Sequence, residues 1–175
     1  MRHRQSLRSH TGHRWYISLI SFILLSCPVN GYAMSLFKEK CLFSEVNGVV
    51  LSAGKPVAVA EVDQYYKWEN SNKSSRKVVE TDSDGRFNFA AVFDNSLFTT
   101  LIPSNPVIQQ KIYIRNDDQE YEAYLYMKKN YDNNGELDGK PLNLVCELDN
   151  EPSRDGGFYG VCTLGEEYFS LETEP

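Results

Sequence analysis

Two short stretches constrain this chain more than the rest of it together. In residues 46–62, Val46, Gly48 and Val50 alternate with their neighbours, run into Ala53-Gly54-Lys55-Pro56, and the pattern resumes at Val57. In residues 78–89, Val78-Val79 leads into Asp82-Ser83-Asp84-Gly85, and Phe87 and Phe89 follow at period two. Alternation on both sides of a glycine turn predicts paired β-strands. Gly85 supplies a positive φ, and the aspartates bond their own backbone. Asp82 and Asp84 are therefore turn formers before they are a catalytic carboxylate pair.

The same signals recur to residue 164. Strands are predicted at 42–51, 57–66, 76–81, 86–91, 107–115, 120–129, 142–148 and 158–164, with Gly48 marking a bulge. In the second, Ala58, Ala60, Val62 and Gln64 face the core. Residues 68–75 are polar and read as a loop. Residues 93–106 break the pattern with Leu97, Phe98, Leu101 and Ile102 at helical spacing, a short crossing segment. The expected fold is all-β: a single antiparallel β-sandwich of about seven to eight strands. Residues 34–165 form it, and 166–175, with Glu166, Glu167, Glu172 and Glu174, make an acidic tail.

Residues 1–33 read as a leader. Arg2, Arg4, Arg8 and Arg14 precede an apolar run from Trp15 to Leu25, and Gly31-Tyr32-Ala33 ends on small residues. That is the pattern of a secretory signal cleaved after Ala33. Leu24-Leu25-Ser26-Cys27 offers a competing lipoprotein site, which would tether the chain to a membrane through Cys27. An uncleaved anchor and a start at Met34 are the other readings. The expected location is periplasmic or secreted.

Loss of the leader leaves fourteen basic residues against twenty-four acidic ones, a net charge near −10 instead of −6. This argues against nucleic acid, whose binding rests on lysine and arginine. His3, His10 and His13 are the only histidines, and all lie in the leader. A trimmed chain has no imidazole for a Ser-His-Asp or Cys-His system, nor for the usual zinc sites. Carboxylate-pair hydrolysis is the one common hydrolytic route left. The expectation is a non-enzymatic chain with no cofactor and no metal.

Cys41, Cys146 and Cys162 remain after trimming. Cys146 and Cys162 sit in neighbouring strand-like segments and are the first choice for a bridge; Cys41 paired with either is the rival.

The two stretches resemble the carboxypeptidase regulatory-like domain, a transthyretin-type β-sandwich. The matching residues are Val46, Gly48, Val50, Gly54, Pro56, Val57, Ala60 and Val62, then Thr81, Asp82, Gly85, Phe87 and Phe89. The chain departs at Val59, where that family commonly has glycine; the departure is cheap if the side chain faces solvent. The opening at Met34 also looks like an uncharacterised group of small bacterial proteins. The resemblance implies an accessory or adhesive module, with no room for a peptidase domain. Fold alone does not assign function.

Residues 130–141 have the letters of a calcium loop: Asn130, Asp132, Asn134, Gly135, Glu136 and Asp138 at suitable offsets. The twelfth position is Pro141 instead of a bidentate glutamate, and a plain Asn/Asp/Gly loop explains the same letters. Tyrosines offer a contact surface. In residues 121–128, alternation places Tyr121, Ala123, Leu125 and Met127 inward and Glu122, Tyr124, Tyr126 and Lys128 outward. Tyr113 joins the outward set if the register allows, Tyr65, Tyr66 and Trp68 add aromatics at the end of the second strand, and Asp117 and Asp118 form an acidic rim. Tyr and Trp dominate interface hot spots, although sheet packing uses them too. The expected partner is another protein, with a secreted toxin (the chain then being an immunity protein) or a glycan as alternatives.

Overall fold

The computed structural model describes residues 39–94 and 106–165. Contacts divide the chain into Met1–Leu36 and Phe37–Pro175, and every described residue lies in the second unit. The leader with Cys27, residues 95–105 of the expected crossing segment, and the acidic tail lie outside the described residues.

Among the described residues there are thirteen strands and no helix. They are β1 (Lys40–Phe43), β2 (Val46–Ser52), β3 (Lys55–Pro56), β4 (Glu61–Trp68), β5 (Lys73–Glu80), β6 (Arg86–Phe89) and β7 (Val92–Asp94), then β8 (Ile108–Asn116), β9 (Gln119–Lys128), β10 (Leu142–Glu147), β11 (Ser153–Asp155), β12 (Phe158–Gly160) and β13 (Cys162–Leu164). The all-β expectation holds in a sandwich-like arrangement, with more and shorter strands than the seven or eight expected. One sheet runs β13-β10-β2-β3, with β6 also on β2; the other runs β11-β12-β9-β8-β4-β5; β1 and β7 form a separate pair. The expectation of purely antiparallel pairing is corrected at β2 and β10, which pair in parallel from Val46↔Leu142 to Leu51↔Glu147.

The core lies between the two larger sheets. Val46, Val50, Phe87, Phe89, Leu142 and Leu144 from one sheet meet Val62, Ile112, Ile114, Ala123 and Tyr124 from the other. Burial of such side chains contributes about 1.5–3 kcal/mol each. A second cluster of Leu42, Trp68 and Ile108 packs against Tyr131 and Val92.

The resemblance-bearing residues form one local unit. Asp82 Oδ1 accepts from Asp84 N at 2.9 Å and from Arg86 N at 2.8 Å, and Gly85 has φ +72°. Gly48 faces Phe87 in unbroken register with both flanking strands, so the expected bulge is absent. Its hydrogen makes room instead: a Cβ there would lie 2.1 Å from the Phe87 ring.

Several boundaries differ from expectation for identifiable reasons. The strand predicted at 57–66 starts only at Glu61, because residues 57–60 turn around Thr81. Thr81 Oγ1 donates to Val57 O at 2.7 Å and accepts from Ala60 N at 2.9 Å. Ala58 is accordingly exposed, while Ala60, Val62 and Gln64 are buried as expected. Val59 has φ +62° and is 71% exposed. Its side chain does face solvent, yet its backbone occupies a region unfavourable to a β-branched residue. Of the polar loop expected at 68–75, residues 69–72 form a turn, while Trp68 closes β4 and 73–75 already belong to β5, an exposed edge without apolar alternation. Segments 42–51 and 158–164 each divide between two sheets.

Cys146 and Cys162 are direct partners on β10 and β13 and are bridged; Cys41 is free and buried. The bridge follows the point, at Val161, where the chain leaves one sheet for the other.

Two substitutions should move urea-unfolding midpoints in opposite directions. Val59→Gly should stabilise by about 1 kcal/mol by relieving the positive φ. Gly48→Ala should destabilise by about 1–3 kcal/mol through the clash with Phe87, and Phe87→Leu should recover part of that loss.

Candidate functional site

Strand β9 determines what each face of the six-stranded sheet presents. Its register with β8 slips between Ile112 and Tyr113: Tyr124 pairs with Ile112, Glu122 pairs with Tyr113, and Ala123 has no partner. An extra residue reverses the alternation beyond it. Val161 N donates to Glu122 O at 2.9 Å beside the slip. Gly160 passes so close that a Cβ would lie 2.1 Å from Ala123 O.

The expected facing of residues 121–128 is therefore right before the slip and reversed after it. Ala123 is buried, but Tyr124 and Lys128 are fully buried too, while Met127 is 40% exposed. Tyr124 is corrected to a core residue: its ring lies tilted against Phe158 at 4.8 Å and Phe43 at 6.1 Å. Burial, reinforced by Glu136 and Tyr126, raises its phenol well above the ordinary range. Tyr126 is half-buried against Tyr124. Tyr66 packs against the core, and Trp68 is corrected to a buried residue, edge-on to Tyr131 at 5.6 Å.

Of the six candidate aromatics, Tyr65 and Tyr113 lie on the outer face of the sheet. Pairing there aligns Arg154, Tyr159, Leu125, Lys111, Tyr65 and Arg76 in one row across all six strands. Tyr159 is 36% exposed and Val78, beside Asp63 on the same face, is 46% exposed. A groove of about 420 Å³ opens at the β9–β12 end, lined in part by Gln109, Lys111, Leu125, Met127, Arg154 and Tyr159. Asp117 and Asp118 are exposed at the β8–β9 turn, at the far end of β9 from Met127.

Ion pairs hold the other end of this face. Asp63 is fully buried, with Arg76 Nε at 3.2 Å and Arg115 Nη2 at 3.3 Å. Arg115 also binds Glu61, and its Nε donates to Glu120 at 2.7 Å. Beside the groove, Lys67 lies opposite Gln109 and pairs with Glu69 at 2.9 Å, and Glu69 accepts from Gln109 Nε2 at 2.7 Å. Leu125 and Met127 had no signal in the sequence, because their exposure depends on the slip; Lys111 follows the plain alternation of β8 on the same face as Tyr113, and Arg154 and Tyr159 come from β11 and β12, whose place beside β9 no local pattern gives.

The calcium-like loop carries a different chemistry. Glu136 turns inward and accepts from Lys128 Nζ at 2.8 Å, Ser44 Oγ at 2.6 Å, Ser44 N at 3.1 Å and Gln110 Nε2 at 2.7 Å. Lys128 Nζ also donates to Asp132 O at 2.7 Å and Ser44 Oγ at 3.3 Å. The ammonium thus contacts two oxygens of this loop, the Asp132 carbonyl and the Glu136 carboxylate. No group of three or more His, Cys, Asp or Glu able to hold a metal occurs among the described residues. Burial alone raises the Glu136 carboxyl, but Lys128 and the hydrogen bonds from Ser44 and Gln110 outweigh it and hold the group below its ordinary value. Cys41 lies at the edge of this network, its thiol pushed up chiefly by burial.

Comparison with known proteins adds one match. The family model of a domain of unknown function (DUF6795) covers residues 46–151, more than half of the chain. No curated protein and no solved structure matches.

The pair's contribution should depend on pH. A depressed folded-state carboxyl stabilises fully above its unfolded value, near 4.3, and that contribution is lost as pH falls through the folded value. Lys128→Met should cost about 3–5 kcal/mol at pH 7 in urea titrations, since it leaves a buried carboxylate without its cation. In that variant burial favours the protonated acid, so the deficit should shrink as pH is lowered toward 4.

Proposed function

We propose, for a chain that belongs to the DUF6795 family, that it is a non-enzymatic, exported protein-binding module of the bacterial envelope. The observation that carries this reading is the outer face of the six-stranded sheet. Tyr65, Tyr113, Leu125, Met127 and Tyr159 present aromatic and apolar area on paired strands, beside an ion-paired margin. Rigid aromatics on a preorganised sheet lose little entropy on binding and suit a hot spot. Export is supported by the basic and apolar leader and by a bridge of the kind oxidising compartments preserve. The turn chemistry around Asp82 and Gly85 supports a carboxypeptidase regulatory-like sandwich, whose members act beside other proteins.

A second reading, an immunity protein that occludes a secreted toxin, draws on the exposed Asp117-Asp118 turn. An acidic tip fits a basic cleft, and it lies at the other end of β9 from the groove.

A photo-crosslinking residue at Tyr113, in the full chain expressed in its native host, should capture one protein partner; the same residue at Asn88, on the other sheet, should not. Tyr65→Ala with Tyr113→Ala should weaken binding of that partner by about 2 kcal/mol, near thirtyfold. Equal capture from both positions, or none from Tyr113, would overturn the outer-face reading. Loss of binding confined to Asp117→Asn with Asp118→Asn would favour the toxin inhibitor.

A further inference from the structure

The row across the outer face distributes its cations unevenly. Arg76, Arg115 and Lys67 are each held by a carboxylate. Lys111 and Arg154 have no ion pair among the described residues, and both line the groove. In a chain of net charge −6, these are two uncommitted positive groups at one place. No acidic side chain lines that groove; its remaining surface is amide and apolar, with Leu125, Met127 and Tyr159 between and beside the cations.

The geometry separates the charges by a defined apolar interval. Arg154 pairs with Tyr159, Tyr159 with Leu125, and Leu125 with Lys111. Neighbouring strands lie about 4.8 Å apart, so the two cations are anchored roughly 14 Å from each other. An extended peptide advances about 3.4 Å per residue, so acidic residues four apart along it span that interval. The apolar residues between them meet Leu125 and Tyr159.

We infer that the groove bounded by Lys111 and Arg154 receives an acidic, extended segment of the partner protein, with carboxylates on the two cations and an apolar side chain on Leu125 and Tyr159. This rests on the reading of the outer face as a protein-binding surface and names the chemistry it selects. Charge complementarity chooses the occupant: a basic segment would meet two uncompensated cations, and a wholly apolar one would leave them buried without partners.

The test uses a fluorescein-labelled, end-blocked peptide, Ser-Glu-Ser-Leu-Ser-Glu-Ser, whose two glutamates and central leucine share one face of an extended strand, and its counterpart with lysine for glutamate, titrated against the full chain. The acidic peptide should bind, more weakly as salt is raised, and the basic one should not. Lys111→Glu with Arg154→Glu should weaken the acidic peptide at least about tenfold, as expected for two partly exposed charge pairs. Lys55→Glu, exposed on the other sheet, should leave binding unchanged. Should the charge-reversed protein unfold at a lower urea concentration, Lys111→Gln with Arg154→Gln repeats the comparison. Equal binding of both peptides, no binding of the acidic one, or acidic binding indifferent to Lys111 and Arg154 would overturn the inference. Crosslinking from Tyr113 reports separately: a captured partner with a silent groove sinks only the acidic-segment inference, whereas a responsive groove without any captured partner sinks the wider reading.

Discussion

The unpaired Ala123 in β9 governs both sides of the six-stranded sheet. Without it, Tyr124, Tyr126 and Lys128 would point to solvent while Leu125 and Met127 pointed into the core. With it, the core gains Tyr124 against Phe43 and Phe158, and Lys128 is delivered to Glu136. The outer face gains the apolar floor of the groove. One extra residue thus couples interior packing to the proposed contact surface, and Gly160 on the adjoining β12 is shaped to accommodate it. Bulges with this role are structural devices that re-aim side chains next to sites.

The buried network around Glu136 follows from that phase. A lysine and a glutamate with 0% and 1% side-chain exposure are costly to remove from water. The cost is offset only because each has several partners: four contacts to the carboxylate, three to the ammonium. Those partners come from the residues after β1, from β8, and from the loop after β9. The network therefore ties distant parts of the chain to one point and specifies where the β9–β10 loop sits. It explains how a loop with calcium-like lettering can be ordered by a cation of its own.

Much of the strand framework was legible in the sequence, and the reasons are local. The Asp82–Gly85 turn carries its chemistry in four letters, Phe87 and Phe89 alternate cleanly, and the Cys146–Cys162 bridge joins two strands separated by turn formers. What escaped was non-local. Residues 121–127 place aromatic or aliphatic side chains at both phases, so alternation cannot reveal a slipped register. Lysine is rarely buried, so Lys128 was expected outside. Strand β5 has Ser74, Ser75, Arg76 and Lys77 where an apolar face would signal a strand, because as an exposed edge it needs none. Thr81's grip on residues 57–60 joins positions twenty-one or more apart, and Val59's positive φ follows from it. Of the candidate surface, the sequence pointed to Tyr65 and Tyr113; Leu125 and Met127 required the slip, and Arg154 required the non-local pairing that brings β11 and β12 beside β9.

The parallel pairing of β2 with β10 has a consequence for assembly. Its paired residues lie nearly a hundred positions apart, so this is among the most expensive ladders in the fold to close in chain entropy. Until Glu147 is available, β2 lacks a neighbour on that side and exposes unpaired amides and carbonyls along an apolar strand. Such an edge is a template for other chains. Polypeptides interrupted between the β6 turn and β10 would thus resemble the native protein locally while being prone to aggregate. The completed ladder, closed by Cys162 on the far side of β10, converts that hazard into an interior strand.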